Sequence, residues 1–348
     1  MSLRWNEVCL EAIAYELPEE RLTSAVLEQR LQPLYDQLKL GKGQLEALTG
    51  IRERRLWPLK PRMSTCAARA AKKAIEKAGI APAEIGAVVY AGVCRDDLEP
   101  ATACAVAHAI GVSPDTLVYD ISNACLGVMN GIVDLANRIE LGQIRAGLVV
   151  SAESSREIVD STITRMLQDP TLDRFRLCLA TMTGGSGAVA VVLTSRELSD
   201  SNRRVIGAAA LAAPEHHKIC RWGPATGLLG ETSNLMDTDA TQVLMHGVEL
   251  GKRTWEKLLT TLDWRREDVD KVICHQVGSA HRKTVLDTIG VSLDRDFSTF
   301  ETHGNIGTVS VPITAAIADE QGFLRSGDRV AFLGIGSGLN CLMLGIQW

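Results

Sequence analysis

The sequence predicts a duplicated α/β fold, in which two sheets enclose a pair of buried helices and carry further helices on their outer faces. Three observations predict it. A shift of 180 residues lays the segment from Cys125 onto the one from Asn305, so that Gly127, Ala136, Glu140, Gly142, Arg145 and Gly147 meet Gly307, Ala316, Glu320, Gly322, Arg325 and Gly327. Short apolar runs alternate with runs of helical period, the pattern of sheets covered by helices on both faces. The runs that follow Cys125 and Asn305 are apolar on most of their circumference, so neither can face water and the two pack back to back.

The elements follow in order. In the first copy the pattern predicts a helix over 64–78, a strand over 85–91, a helix over 101–110, a strand over 117–121, the buried helix over 126–141 and a strand over 146–152. The second copy opens on an amphipathic helix with Val248, Trp255, Leu258, Leu259 and Leu262 at helical spacing, and continues with a strand over 269–274 and a helix over 280–288. Glu84 to Tyr90 parallels Asp268 to Cys274, and Ile110-Gly-Val112 parallels Ile289-Gly-Val291. The halves are expected at 1–200 and 201–348. An insertion at about 152–181 fits neither copy and carries Ile158, Val159, Ile163, Met166 and Leu167 at helical spacing, suited to a core face, a tunnel wall or a dimer contact. Two uncharged stretches, 177–194 and 330–348, are broken by glycines and read as buried strand-turn-strand pieces, so no integral membrane segment is expected.

Composition narrows the function. A formal charge of −5 and a pI near 5.9 offer no basic footprint for nucleic acid or an anionic membrane. Nine cysteines, an odd number without a C-x-x-C pair, imply reduced thiols and a cytoplasmic location, and the first residues contain no apolar leader. No Cys/His quartet has zinc spacing, and His275 and His281, six residues apart, are assigned to different faces of a helix. Gly184-Gly-Ser-Gly187 and Gly334-Ile-Gly-Ser-Gly338 precede strand-like runs instead of helices, which excludes a phosphate-binding loop and leaves them as backbone donors.

Cys125 stands where a strand gives way to a helix, and a helix N-terminus favours thiolate over thiol; a lowered pKa is expected. His275 ends the second copy's first strand, where ligands bind in α/β folds. Asn305 opens the twin helix, so repeat symmetry converges Cys125, His275 and Asn305 on one site. His303 is a second candidate near it, or a turn residue. His108, His216, His217, His246 and His281 are read as solvated or packed.

Asn123-Ala-Cys125, Cys274-His-Gln276, Gly304-Asn-Ile-Gly307, Gly334-Ile-Gly-Ser-Gly-Leu339 and Thr49-Gly-Ile-Arg-Glu-Arg-Arg55 together resemble the landmarks of the thiolase-fold condensing enzymes, in the ketoacyl synthase III branch. The resemblance implies a five-layer αβαβα fold with two mixed sheets, a homodimer, no permanently bound cofactor, and coenzyme A thioesters as substrates. It implies an acyl-Cys125 intermediate, His275 and Asn305 as donors to the second thioester's carbonyl, and an oxyanion hole of the Cys125 and Ser337 N–H groups. Such donors contribute about 3 to 4 kcal/mol each.

The chain departs from that branch at Gln44-Leu-Glu-Ala-Leu-Thr-Gly-Ile51, which lacks the Trp and Arg of W-x-x-x-R-T-G-I, and at His275-Gln-Val-Gly278 and Gly304-Asn-Ile-Gly307. With Arg95-Asp-Asp-Leu-Glu-Pro100, these variants are similar to the OleA-type enzymes of long-chain olefin biosynthesis, which join two fatty acyl-CoA molecules head to head. There a glutamate matching Glu99 reaches the partner subunit's site as the base, its pKa expected to rise by burial in an acyl channel. Arg95 and Asp96 are candidates for a mutual ion pair. Decarboxylative ketoacyl synthase III chemistry with a malonyl carrier protein, and a catalytically silent subunit, are the alternatives.

Overall fold

In a computed structural model, residues 1–59, 61–224 and 234–348 are described. The main strands are β1 (Ser2–Arg4), β2 (Val8–Glu16), β3 (Ile85–Ala91), β4 (Leu117–Ile121), β5 (Ala146–Glu153), β6 (Gly187–Ser195), β7 (Arg204–Ala212), β8 (Lys271–Cys274), β9 (Arg329–Gly336) and β10 (Asn340–Gln347). The principal helices are α1 (Met63–Ala78), α2 (Thr102–Ile110), α3 (Gly127–Glu140), α4 (Ala240–Leu262), α5 (Ser279–Ile289) and α6 (Ser310–Glu320).

The strands run β8-β9-β10-β7-β2-β6-β5-β3-β4, with β1 added to β7. Both halves are mixed. In one, β3 is parallel to β4 and β5, while β6 is antiparallel to β5 and β2. In the other, β8 is parallel to β9, and β9, β10, β7 and β1 continue antiparallel. The two expected sheets meet edge to edge at one residue pair, Cys9 with Arg204.

The five layers are explained by where each strand's side chains go. On β3, Ala87, Val89 and Ala91 enter the central core, while Val88 and Tyr90 enter the core under α1 and α2. A strand buried on both faces therefore reads as one continuous apolar run. The central core holds α3 and α6 between Val89, Val149 and Val191 of one half and Ile273, Phe332 and Leu342 of the other. The outer core of the second half gathers Leu250, Trp255, Leu258 and Leu286 of α4 and α5.

The two copies diverge in two places. The counterpart of β4 is reduced to a single bridge, Val272 with Asp296. The helix after Asn305 starts late: a 3-10 turn, Gly307–Val309, precedes α6. Pro312 explains the delay, because it lacks an N–H and is accommodated in a first turn but not further inside a helix. Helix α4 begins earlier than its apolar pattern, so His246 lies within it instead of before it.

The 152–181 region forms helices Arg156–Gln168 and Leu172–Cys178. Val159, Ile163, Met166, Phe175 and Cys178 pack with Leu27, Leu31, Leu34 and Tyr35 into a separate core, while Leu167 is exposed. The stretch 330–348 is the β9–β10 hairpin, as expected; 177–194 contains a helix end and a 3-10 turn before β6 instead of two strands. Among the described residues no helix is long and apolar enough to cross a membrane.

Candidate active site

A cavity of about 610 Å³ is lined by residues of both copies, and Cys125, His275, Asn305 and Ser337 all border it. The turn into α3 passes through Ala124 at φ 45°, a left-handed conformation that costs a non-glycine residue about 1 kcal/mol. Around it, the Leu126 N–H donates to Asn123 O (2.8 Å), and the Asn123 side chain donates to Asn130 and accepts from Asn340. Cys125 is thereby held two residues before the start of α3, next to its N-cap Leu126.

The two helix entrances are bonded to each other: the Val128 N–H donates to Thr308 Oγ1 (2.7 Å), its own counterpart under the 180-residue shift. Gly127 permits the approach, since a Cβ there would lie 2.8 Å from Ala91 O and 3.3 Å from Thr308 Oγ1.

The charge state of Cys125 differs from expectation. Burial, and then the neighbouring Cys220 and Glu153, push its thiol up to about 12, and no cation is set against it. Removal from water outweighs the helix terminus here. His275 is neutral for the same reason: burial, and then His281, lower it to about 3. Its backbone N–H donates to Leu333 O, and Gln276 locks the segment by accepting from the Thr299 and Phe300 N–H groups and donating to Cys274 O.

Asn305 is fixed through its backbone, which donates to Thr183 O and accepts from Gly185 N. Its Oδ1 accepts from Gly307 N (3.1 Å), so Nδ2 is the end available to a ligand. Gly336 abuts the thiol's backbone: a Cβ there would lie 3.3 Å from Cys125 N, which sets the Gly336-Ser337 turn beside that amide. Ser337 Oγ donates to Cys220 Sγ at 3.0 Å. The hairpin Cys220–Pro224 with Asn234–Thr238 supplies Trp222 and Met236 to the wall, which Leu179, Val243, Leu244 and Ile335 continue. Leu48, at the place of the missing Arg, borders the cavity and is exposed.

Two expected residues stand elsewhere. Glu99 is exposed on the loop between β3 and α2 and does not border its own chain's cavity. Arg95 is not Asp96's partner: Arg62 pairs with both Asp96 (3.3 Å) and Asp97 (3.1 Å). His303 does not border the cavity; its Nδ1 lies 2.9 Å from Thr302 Oγ1 and 3.1 Å from Thr299 O, within the short helix before Asn305.

Three residues at the cavity escaped the sequence reading. His281, expected to be packed or solvated and on another face from His275, borders the same cavity and is lowered to about 4 by burial. Cys220 neighbours Cys125. Glu153, the last residue of β5, is raised to about 7 by burial, although the Val93 and Cys94 amides and the Cys94 thiol oppose the rise. The one signal for Glu153 was a lone carboxylate at the carboxyl end of an apolar strand, the end where α/β folds bind ligands. Among the described residues no group of three or more His, Cys, Asp or Glu is arranged to hold a metal.

Comparisons agree with this architecture. Residues 60–208 match the thiolase N-terminal domain, and residues 259–348 match the C-terminal domain of 3-oxoacyl-[acyl-carrier-protein] synthase III. An acyl-CoA:acyl-CoA alkyltransferase of Shewanella oneidensis is 56% identical over 99% of this chain and 100% of its own length. One from Xanthomonas campestris is 36% identical over 99% of both, whereas a β-ketoacyl-[acyl-carrier-protein] synthase III of Natranaerobius thermophilus is 27% identical over 86% of this chain and 89% of its own. Crystal structures of Xanthomonas campestris OleA superpose with TM-scores of 0.92 to 0.93 at 36% identity, covering 99% of this chain and 98% to 100% of theirs. They include variants in which a cysteine or a glutamate is replaced, and one with bound lauric acid and lauroyl-CoA. The chain belongs to the thiolase-fold acyltransferases, in the family of the acyl-CoA:acyl-CoA alkyltransferases.

Proposed function

We propose that this chain joins two fatty acyl-CoA thioesters by a non-decarboxylative Claisen condensation. The observation that carries the reading is one apolar-walled cavity bordered by a thiol, a neutral imidazole and a carboxamide, in a chain 56% identical to an acyl-CoA:acyl-CoA alkyltransferase. The Cys125 thiol attacks the first thioester's carbonyl carbon as its proton passes to His275, and coenzyme A leaves with that proton. The Cys125 and Ser337 N–H groups hold the oxyanion. For the second thioester, Glu99 of the other subunit in a homodimer removes the α-proton, and the enolate oxygen accepts from His275 and Asn305 Nδ2. The α-carbon then attacks the acyl-Cys125 carbonyl, the thiolate departs, and a 2-alkyl-3-oxoacyl-CoA is released.

A neutral imidazole suits this role, because it donates one N–H without offering the enolate a proton as acidic as an imidazolium's. For Glu99 the support is one of spacing: the cysteine and glutamate replaced in the OleA variants stand as far apart as Cys125 and Glu99 do. The proposed reaction calls for no resident cofactor, and a cytoplasmic location suits its coenzyme A thioester substrates. The second reading is decarboxylative condensation with a malonyl carrier protein, favoured by the match of residues 259–348.

Purified protein is offered long-chain acyl-CoA alone, or acyl-CoA with malonyl carrier protein, and adducts and products are read by mass spectrometry. A 2-alkyl-3-oxo product from acyl-CoA alone supports the proposal; product only with the malonyl carrier establishes the second reading, and no acyl-Cys125 a silent subunit. Glu99→Ala is expected to lower condensation about 10²- to 10⁴-fold with Cys125 still acylated. Unchanged condensation would remove Glu99 from the mechanism.

A further inference from the structure

Glu153 is buried at 4% exposure and borders the cavity, yet no step of the condensation uses it. Its Oε1 accepts from Val93 N (2.8 Å) and its Oε2 from Cys94 N (3.2 Å). Tyr90 ties the same place from the other side, its hydroxyl 2.5 Å from Cys94 O and 2.9 Å from Ala152 O, and the Cys94 thiol lies 3.5 Å from Ser154 O. Residues 93–94 thus hang from the end of β5, and Glu99 follows on the same loop. On its opposite side the Glu153 stem packs against the Asn305 turn, since a Cβ on Gly307 would lie 3.4 Å from Glu153 Cγ.

A carboxylate is retained out of water only where strong hydrogen bonds replace hydration. Here those bonds come from the Val93 and Cys94 amides, near the start of the loop that carries Glu99.

We propose that Glu153 is a positioning residue: it fastens the 92–100 loop to the wall of its own chain's cavity, and so sets where Glu99 stands in the other subunit's site. The inference rests on the assignment of Glu99 as the base. It also joins two sites, because the carboxylate that borders one cavity holds the loop that serves the other.

The test uses the full-length enzyme and Glu153→Gln, which keeps the shape but turns an NH2 toward one of the two amides. Misplacing a reacting group by about 1 Å costs about 10²-fold. E153Q is therefore expected to lower kcat for condensation about 10- to 100-fold, with the acyl-CoA KM and the rate of Cys125 acylation within about threefold. Hydrogen exchange is expected to rise in peptides covering 92–100 and to stay unchanged in β5. Combined with Glu99→Asp, which retains a displaced carboxylate, E153Q is expected to add less than its separate effect, as for residues acting through one another.

Equal losses in acylation and condensation would make Glu153 merely structural and overturn the proposal, as would full additivity with E99D. If Glu99→Ala leaves condensation intact, the assignment of Glu99 fails on its own; a loss in E153Q would then be a direct action of Glu153, and positioning would fail with it. Should E153Q not fold, Glu153→Asp, with a shorter arm and the same charge, makes the same comparison.

Discussion

Cys125 and Asn305 stand at equivalent places one repeat apart, and the chain finishes the two places differently. Cys125 enters α3 directly through the tight turn at Ala124, whereas Asn305 is followed by a 3-10 turn and α6 is delayed by Pro312. Asn305 is pinned by three hydrogen bonds that leave one donor free, while the thiol is held by its backbone turn and kept neutral by burial. Duplication supplied two addresses; packing assigned one to a nucleophile and the other to a fixed dipole.

The comparison breaks first on charge. With its pKa raised from 9 to about 12, Cys125 holds its proton below that range and loses it only as pH rises through it. Alkylation of the free enzyme by iodoacetamide, followed at the Cys125 peptide by mass spectrometry, should climb about tenfold per pH unit from 7 to 10, because only thiolate reacts. A plateau near neutrality would mean a thiolate-imidazolium pair and undo the contrast with Asn305.

The dipole half is tested by Asn305→Ala. Loss of one preorganised donor should reduce condensation about 10²- to 10³-fold while acylation of Cys125 proceeds. Equal loss in both steps, measured by single-turnover mass spectrometry, would place Asn305 in acyl transfer as well.

The smallest effect concerns the bond between the two addresses. Thr308→Val keeps the shape but leaves the Val128 N–H buried without its acceptor, at about 1–3 kcal/mol of stability. Denaturant unfolding should report that loss; an unchanged midpoint would mean that the two helix entrances are held by packing alone.

Where a strand is buried on both faces, as β3 and β6 are, its apolar run is visible in the sequence, and the repeat then located Cys125, His275 and Asn305 in space. Side chains whose meaning depends on burial were not visible. His281 reads as one of several helical histidines until α5 is docked beside His275, and the carboxylate raised by burial is Glu153, whereas the expected one, Glu99, is exposed in the single chain. The delayed start of α6 could have been read from Pro312, because a missing N–H marks a first turn.

The two halves of the sheet share one residue pair, but the N-terminus crosses it: β1 belongs to the half completed by β7 and β10, and β2 to the half completed by β6. On a ribosome, β2 finds its partner once 187–195 have emerged, while β1 waits for 204–212 and the neighbouring β10 comes later still, at 340–347. The second half therefore closes only once 340–347 have emerged, well after the first. Pairings so distant in sequence form slowly, and until then the edges of β7 and β9 stand open to another chain.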